Sequence, residues 1–285
     1  MRHIFLSALL ICAGFAAGCQ SAPEKHYPIQ GEVISIDPAK KLIMVKHGDI
    51  PGLMPAMTMT YQVAEPKQIE TLQPGDKITA DLVVSESKGR LEKIVLVSKG
   101  DGNTSPGTTQ RTPEKGEMVP DFALVNQDGN VIHLSNYRGK VLLVTFIYTR
   151  CPLPDFCPRM NENFRAVQKL LQDVPGAAER AEFLSISFDP EHDTPAVLKH
   201  YAWLYKKGVA GEKAFDWQFA VPSEKDLPEL ARFFGLVYRP EQSQIVHSLS
   251  TTVIGPDGKV EKWYSDNEWT PAEAAQAISS LLHRA

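Results

Sequence analysis

Two thiols stand close together in Tyr148-Thr149-Arg150-Cys151-Pro152-Leu153-Pro154-Asp155-Phe156-Cys157-Pro158. A thiol pair at a helix start suits soft-metal binding or redox exchange. The unpaired N–H groups and partial positive charge there favour thiolate over thiol. His247, far downstream in Gln244-Ile245-Val246-His247-Ser248, is the candidate third partner. Two thiolates and an imidazole suit Cu(I) first. Zn(II) comes second, because it ordinarily wants a fourth ligand and no further Cys is at hand. Cu(II) remains open at this site. A second soft set is His47, Met54, Met57 and Met59. Met57 and Met59 are two apart on an expected strand, so both thioethers share one face. Thioethers prefer Cu(I) and stay neutral at any pH. The plain alternatives are Met packing in a flexible core, a structural strand His, and a buried disulfide without chemistry.

The elements that must position these residues fall into two groups. From about Ile29 to Val97 the pattern is strand-like. Gly31 to Asp37 alternates, Lys41 to Val45 follows a turn at Pro38-Ala39, and Met57–Val63, Ile78–Val84 and Leu91–Val97 complete five short strands. Five strands with no convincing helix predict a small all-β barrel over 28–98. The stretch 99–116 is rich in Gly, Ser, Thr and Pro and reads as a flexible linker. From 117 to 285 strands and helices alternate. Val141 to Ile147 is a continuous apolar run that fits a strand buried on both faces. Thr194-Pro195 and Thr270-Pro271 each read as an N-cap followed by Pro at the first helical position. A helix is expected from about Leu227 to Phe234. Val246–Ile254 and Lys259–Trp263 read as a hairpin about the turn Gly255-Pro256-Asp257-Gly258. The second domain is therefore expected to be α/β with a mixed sheet.

The chain opens Met1-Arg2-His3, followed by an apolar run to about Ala17 that is too short for a permanent span. Cys12 lies inside it. No later stretch is long enough to cross a membrane. The net charge of -4, with 22% charged residues, excludes a basic nucleic-acid binder.

Three resemblances sharpen these expectations. Ala16-Ala17-Gly18-Cys19 resembles the lipobox of bacterial lipoproteins. It implies a signal peptide over 1–18, lipidation of Cys19 and a tether over 19–27. The protein would then sit in the bacterial cell envelope, anchored to the lipid membrane and facing the periplasm. Gln20 after the Cys favours the outer membrane over the inner.

The second domain resembles the Sco/SenC family of copper chaperones. The matching pieces are Val119-Pro120-Asp121-Phe122, Phe146-Ile147-Tyr148-Thr149-Arg150-Cys151-Pro152, Ser187-Phe188-Asp189-Pro190, Asp193-Thr194-Pro195 and Val246-His247-Ser248. The resemblance implies a thioredoxin-like fold and copper held by Cys151, Cys157 and His247. Asp189 would be an acidic residue near that site. The implied role is maturation of the copper centre of cytochrome c oxidase, with subunit II or another envelope cuproprotein as partner. The family usually has three residues between the cysteines, whereas this chain has five.

The stretch Pro55-Ala56-Met57-Thr58-Met59 resembles the CusF type of small periplasmic copper-binding domain. It implies an OB-like five-stranded barrel with His47, Met57 and Met59 as ligands. Met54 stands where such domains often place a Trp over the metal.

The combined expectation is a metallochaperone rather than an enzyme. It captures Cu(I) in the first domain and delivers it from the second, with the linker keeping the two domains at a local concentration of about the millimolar range. The alternatives are a thiol–disulfide reductase using Cys151 and Cys157 on a partner's cysteines, and copper sequestration for tolerance.

Overall fold

The structure is a computed structural model that describes residues 24–38, 40–85, 88–100, 111–207, 215–241, 244–265 and 269–284. The expected signal peptide, Cys12, the lipidation candidate Cys19 and residues 101–110 of the expected linker lie outside the described residues.

The first unit holds β1 (Lys25–Asp37), β2 (Leu42–His47), β3 (Met57–Val63), β4 (Lys77–Ser85) and β5 (Lys88–Ser98). β1 begins inside the stretch expected to be a tether. The neighbours run β1-β2-β3-β5-β4, and β4 also pairs with β1. One strand face supplies the core, with Val33, Ile43, Val45, Tyr61, Ile78, Leu82 and Leu91 buried together. Each such side chain is worth about 1.5–3 kcal/mol when fully removed from water.

The expected OB-like barrel needs correction. β3 and β5 run parallel and meet at two residue pairs only, Gln62 with Arg90 and Val63 with Leu91. All other pairings in the unit are antiparallel. The five-stranded sheet is thus mixed, and its pairing is shortest at the β3–β5 seam. From Met57 to Tyr61, β3 is laddered to β2 alone. A parallel pair cannot arise from a tight hairpin, so it needs a crossover, and here the excursion through β4 supplies one.

Gly31 matters at one close approach. It lies opposite His47, and a Cβ there would stand 2.4 Å from Val45 Cγ1 and 2.5 Å from the Lys46 carbonyl oxygen.

The second unit holds β6 (Ala123–Asn126), β7 (Val131–His133), β8 (Val141–Ile147), α1 (Cys157–Leu171), α2 (Ala177–Arg180), β9 (Ala181–Ser187), α3 (Pro195–Lys206) and β10 (Asp216–Pro222). It continues through α4 (Leu227–Phe233), β11 (Tyr238–Glu241), β12 (Gln244–His247), β13 (Ser250–Ile254), β14 (Val260–Ser265) and α5 (Pro271–Leu282). The seven-stranded sheet runs β14-β13-β8-β9-β10-β6-β7. β8, β9 and β10 are parallel and the outer pairings antiparallel, giving the mixed sheet of a thioredoxin-like domain. β8 and β9 are buried at every residue, as a strand covered on both faces requires. Thr194 caps α3 and Thr270 caps α5, the latter through a reciprocal box with Glu273.

The expected single strand Val246–Ile254 is broken. β12 pairs with β11 in a separate two-stranded sheet, and β13 pairs with β8 in the main one. The chain switches at His247-Ser248-Leu249. There Ser248 N–H donates to the Val237 carbonyl at 2.8 Å, and Ser248 Oγ accepts from Val237 N–H at 2.9 Å. The switch turns His247 away from the main sheet and toward the cysteines.

The two units touch. Ile34 and Met44 bury against Val237, and Arg239 Nη1 pairs with Glu32 Oε1 at 3.0 Å. Thr112 Oγ1 donates to Asp37 Oδ2 at 2.6 Å, and Lys40 Nζ lies 4.9 Å from the Trp263 ring centre.

Candidate metal centre

Cys151 leaves β8 through a tight turn, its N–H donating to the Tyr148 carbonyl at 3.2 Å. Cys157 is the first residue of α1 and is fully buried, while Cys151 is half-buried. The residue before α1, Phe156, offers no side-chain cap, and Pro158 takes one of the first helical positions. Both thiols are free. The five-residue spacer does not keep them apart: Cys151, Cys157 and His247 present ligand atoms all within 4.8 Å of one another. His247 Nε2 lies 4.0 Å from Cys157 Sγ.

The imidazole is prepared for a cation. Its Nδ1 stands 2.8 Å from the Ser248 carbonyl oxygen, which can only accept. Nδ1 therefore carries the hydrogen, and the Nε2 lone pair faces the sulfurs. The ring is buried among Tyr148, Phe156 and Phe188, at centroid distances of 5.4, 5.5 and 4.9 Å. That casing buries the ring and fixes its tilt.

The thiols divide their labour. A hydrogen bond from Cys157 pulls Cys151 well below the usual thiol range, with further help from His247. Burial pushes Cys157 up. The pair therefore favours the thiolate at Cys151 and the thiol at Cys157. Burial also raises Tyr148, and the nearby Cys151 charge adds to this.

Asp189 does not join the ligand cluster. Its Oδ2 accepts from Arg150 Nε and Nη2 at 3.0 and 2.7 Å, and its Oδ1 lies 3.0 Å from His192 Nδ1. It holds Arg150, the residue before Cys151.

The residue overlooked in the sequence is Asp193. Fully buried, it accepts from Thr149 N–H at 3.0 Å, Thr149 Oγ1 at 2.5 Å and Ser187 Oγ at 2.5 Å. It moors the loop that launches Cys151. Burial raises its pKa above the ordinary carboxylate range. Asp193 stands in the sequence only as part of the Asp193-Thr194-Pro195 piece of the family resemblance, and its bond to Thr149 has no local signal.

The second set is partly assembled. His47 ends β2 directly opposite Met57 on β3. Its Nδ1 lies 2.7 Å from the Gly48 carbonyl oxygen, while its buried Nε2 has no partner. Burial lowers its pKa, so the neutral ring is favoured. Met54, Met57 and Met59 are all half-buried, with Met54 bridged to Ile50 in the loop before β3. An orphaned imidazole nitrogen beside neutral thioethers fits a soft monovalent cation.

A cleft of about 190 Å³ runs between the units, lined by Lys46, His47, Met57 and Thr58 on one side and by Tyr148, Leu153, Phe156 and His247 on the other.

A thioredoxin-like domain with two free thiols and a distal imidazole in one buried cluster has the donor set of a copper-binding site. The SCO1/SenC family model matches residues 110–283, and the chain belongs to that family. It carries a CusF-like module at its N-terminal side, since the model described as copper binding periplasmic protein CusF matches residues 26–95. The chain is 36% identical over 172 residues to the SCO1 protein homolog of Bacillus subtilis (strain 168), covering 58% of this chain and 82% of that protein. It is 28% identical over 170 residues to the mitochondrial SCO2 homolog of Bos taurus, covering 58% of each. The chain thus spans little more than half of that mitochondrial relative. The solved Arabidopsis thaliana ScoI with copper bound shares the fold at a TM-score of 0.50 and 21% identity, covering 59% of this chain and 99% of that one. A periplasmic, membrane-associated location in the envelope is consistent with both family matches. Among the described residues, no helix is long and apolar enough to cross a membrane.

Proposed function

We propose that this protein captures Cu(I) in the cell envelope and delivers it for assembly of the copper centre of cytochrome c oxidase, with subunit II as the receiving partner. Cys151, Cys157 and His247 hold the delivered ion, and His47, Met57 and Met59 capture it, with Met54 as a covering fourth group. Asp189 sets the position of Arg150 beside the thiols. The observation that carries this reading is the convergence of two free thiols and one correctly tautomeric imidazole within 4.8 Å. Copper is cargo here, moved by ligand exchange with no change in oxidation state. Cys19 supplies the lipid anchor, with the outer membrane favoured. The domain boundaries proposed are 28–98 and 117–285.

Anaerobic Cu(I) titration of the reduced protein, with X-ray absorption to count sulfur and nitrogen neighbours, tests the assignment. Two sulfurs and one nitrogen are expected for the ion held by the second domain. A chain that binds no Cu(I), or binds it with no sulfur neighbour, refutes the reading.

A second reading is favoured by the depressed Cys151 thiol: a reductase acting on the partner's cysteine pair before copper arrives. Turnover of a disulfide substrate that survives His247→Ala would favour it.

A further inference from the structure

We infer that Cu(I) passes within a single chain, from His47 and Met57 directly to Cys151 and Cys157, across the cleft the two units share. This rests on the copper reading above and goes beyond it by naming the route. A flexible tether would need no particular facing of the two sites, yet the structure turns them toward each other. His47 and Met57 line one wall of the cleft, and His247 and Phe156 the other.

The facing is built rather than incidental. The stretch of β3 that holds Met57 is the stretch unpaired with β5, and β12, which ends in His247, packs beside β3. The Ile34–Met44–Val237 contact and the Glu32–Arg239 pair fix that approach. His47 Nε2 is buried without a hydrogen-bond partner, and a ligand atom is the partner it lacks. Both imidazoles tie down Nδ1 and keep Nε2 as the atom that can hold the ion, so each can grip it while the other side lets go.

The direction follows from the donors. The first wall offers neutral groups, and the far side offers two cysteine sulfurs, which bind copper as thiolates. In the transfer, bonds from copper to thioether sulfur and to His47 Nε2 break as bonds to Cys151 and Cys157 sulfur form. The Cys157 thiol gives its proton to water, and copper stays Cu(I). An anionic sulfur pair attracts a cation more strongly than neutral thioethers do, most of all where water is scarce.

The test uses the full reduced chain, free of copper, mixed anaerobically with half an equivalent of Cu(I). The thiolate-to-copper absorption is followed in stopped flow. We expect a delayed first-order rise whose rate is unchanged over a tenfold range of protein concentration. In the His47→Ala/Met57→Leu variant the delayed phase should be lost, with thiolate loading at least tenfold slower. Met57→Leu alone keeps side-chain volume, so its slower rise with an unchanged melting temperature separates handover from misfolding. A rise that scales with protein concentration, or a double variant that loads as fast as the parent, overturns the route. Absence of any thiolate-to-copper signal in the parent refutes copper at Cys151 and Cys157, and this route with it.

Discussion

His47 and His247 make the same hydrogen bond in different units: each Nδ1 lies 2.7–2.8 Å from the carbonyl oxygen of the residue that follows it. Each ring is thereby fixed as the tautomer whose Nε2 is a donor to a cation. The two differ in what they face. His247 looks at thiol sulfur, and His47 stands across from a thioether strand.

Removing one ring should therefore damage one site and spare the other. His247→Ala is expected to weaken Cu(I) binding at the thiol site by at least about 100-fold, since loss of an outer hydrogen-bond partner alone costs 10–100-fold. Binding at the His47 set should hold. Competition against a Cu(I) chelator measures both. An unchanged affinity in His247→Ala would remove the imidazole from the ligand set.

Cys151 should behave as a thiolate well below neutral pH. Its folded pKa is depressed, first by the hydrogen bond from Cys157. A depressed acid keeps its charge as pH falls past the ordinary thiol value of about 8.5, and loses it only near the lower folded value. Iodoacetamide labelling of the reduced, copper-free protein, read by mass spectrometry, should modify Cys151 at a nearly constant rate from about pH 8 to about pH 6. Cys157, raised by burial, should lag throughout. A Cys151 rate that drops about tenfold per pH unit over that range would contradict the assignment.

Asp193→Ala should unmoor the cysteine loop. Three donors lose their acceptor in a buried place, and the cost is about 2–4 kcal/mol in urea unfolding. Thr149→Val removes one of those bonds and should cost about 1 kcal/mol. Equal stability of all three proteins would show that the loop holds itself.

Gly31→Ala tests the first unit. The added methyl would press on Val45 and on the Lys46 carbonyl, next to His47. Overpacking of this kind costs about 1–3 kcal/mol. Thermal unfolding should fall, and Ag(I) binding by the His47 set should weaken with it. A variant with normal melting and weaker Ag(I) binding would assign Gly31 to the site rather than to the fold.

Much of this was legible in local pattern. The apolar run Val141–Ile147 announced the central strand, and Thr194-Pro195 and Thr270-Pro271 announced two helix starts. The thiol pair and His247 could be grouped by their chemistry. The break after His247 could not be read, because β12 and β13 both have strand-like composition and only their partners differ. The β3–β5 seam escaped for the same reason, since pairing between distant strands leaves no local mark. Asp193 and the aromatic casing of Tyr148, Phe156 and Phe188 depend on contacts far apart in the chain. The cleft shared by the two units likewise arises from their docking and from no single segment.

The short β3–β5 seam has a mechanical consequence. A strand laddered along one border and clipped to its other neighbour at a single end is free to hinge at the unclipped end, which is where Met57 and Met59 sit. An ion gripped between those sulfurs and His47 would act as a rivet through the loose flap. Amide protons of residues 57–61 should then exchange with deuterium more slowly when Ag(I) is bound, while those of β8 keep their pace.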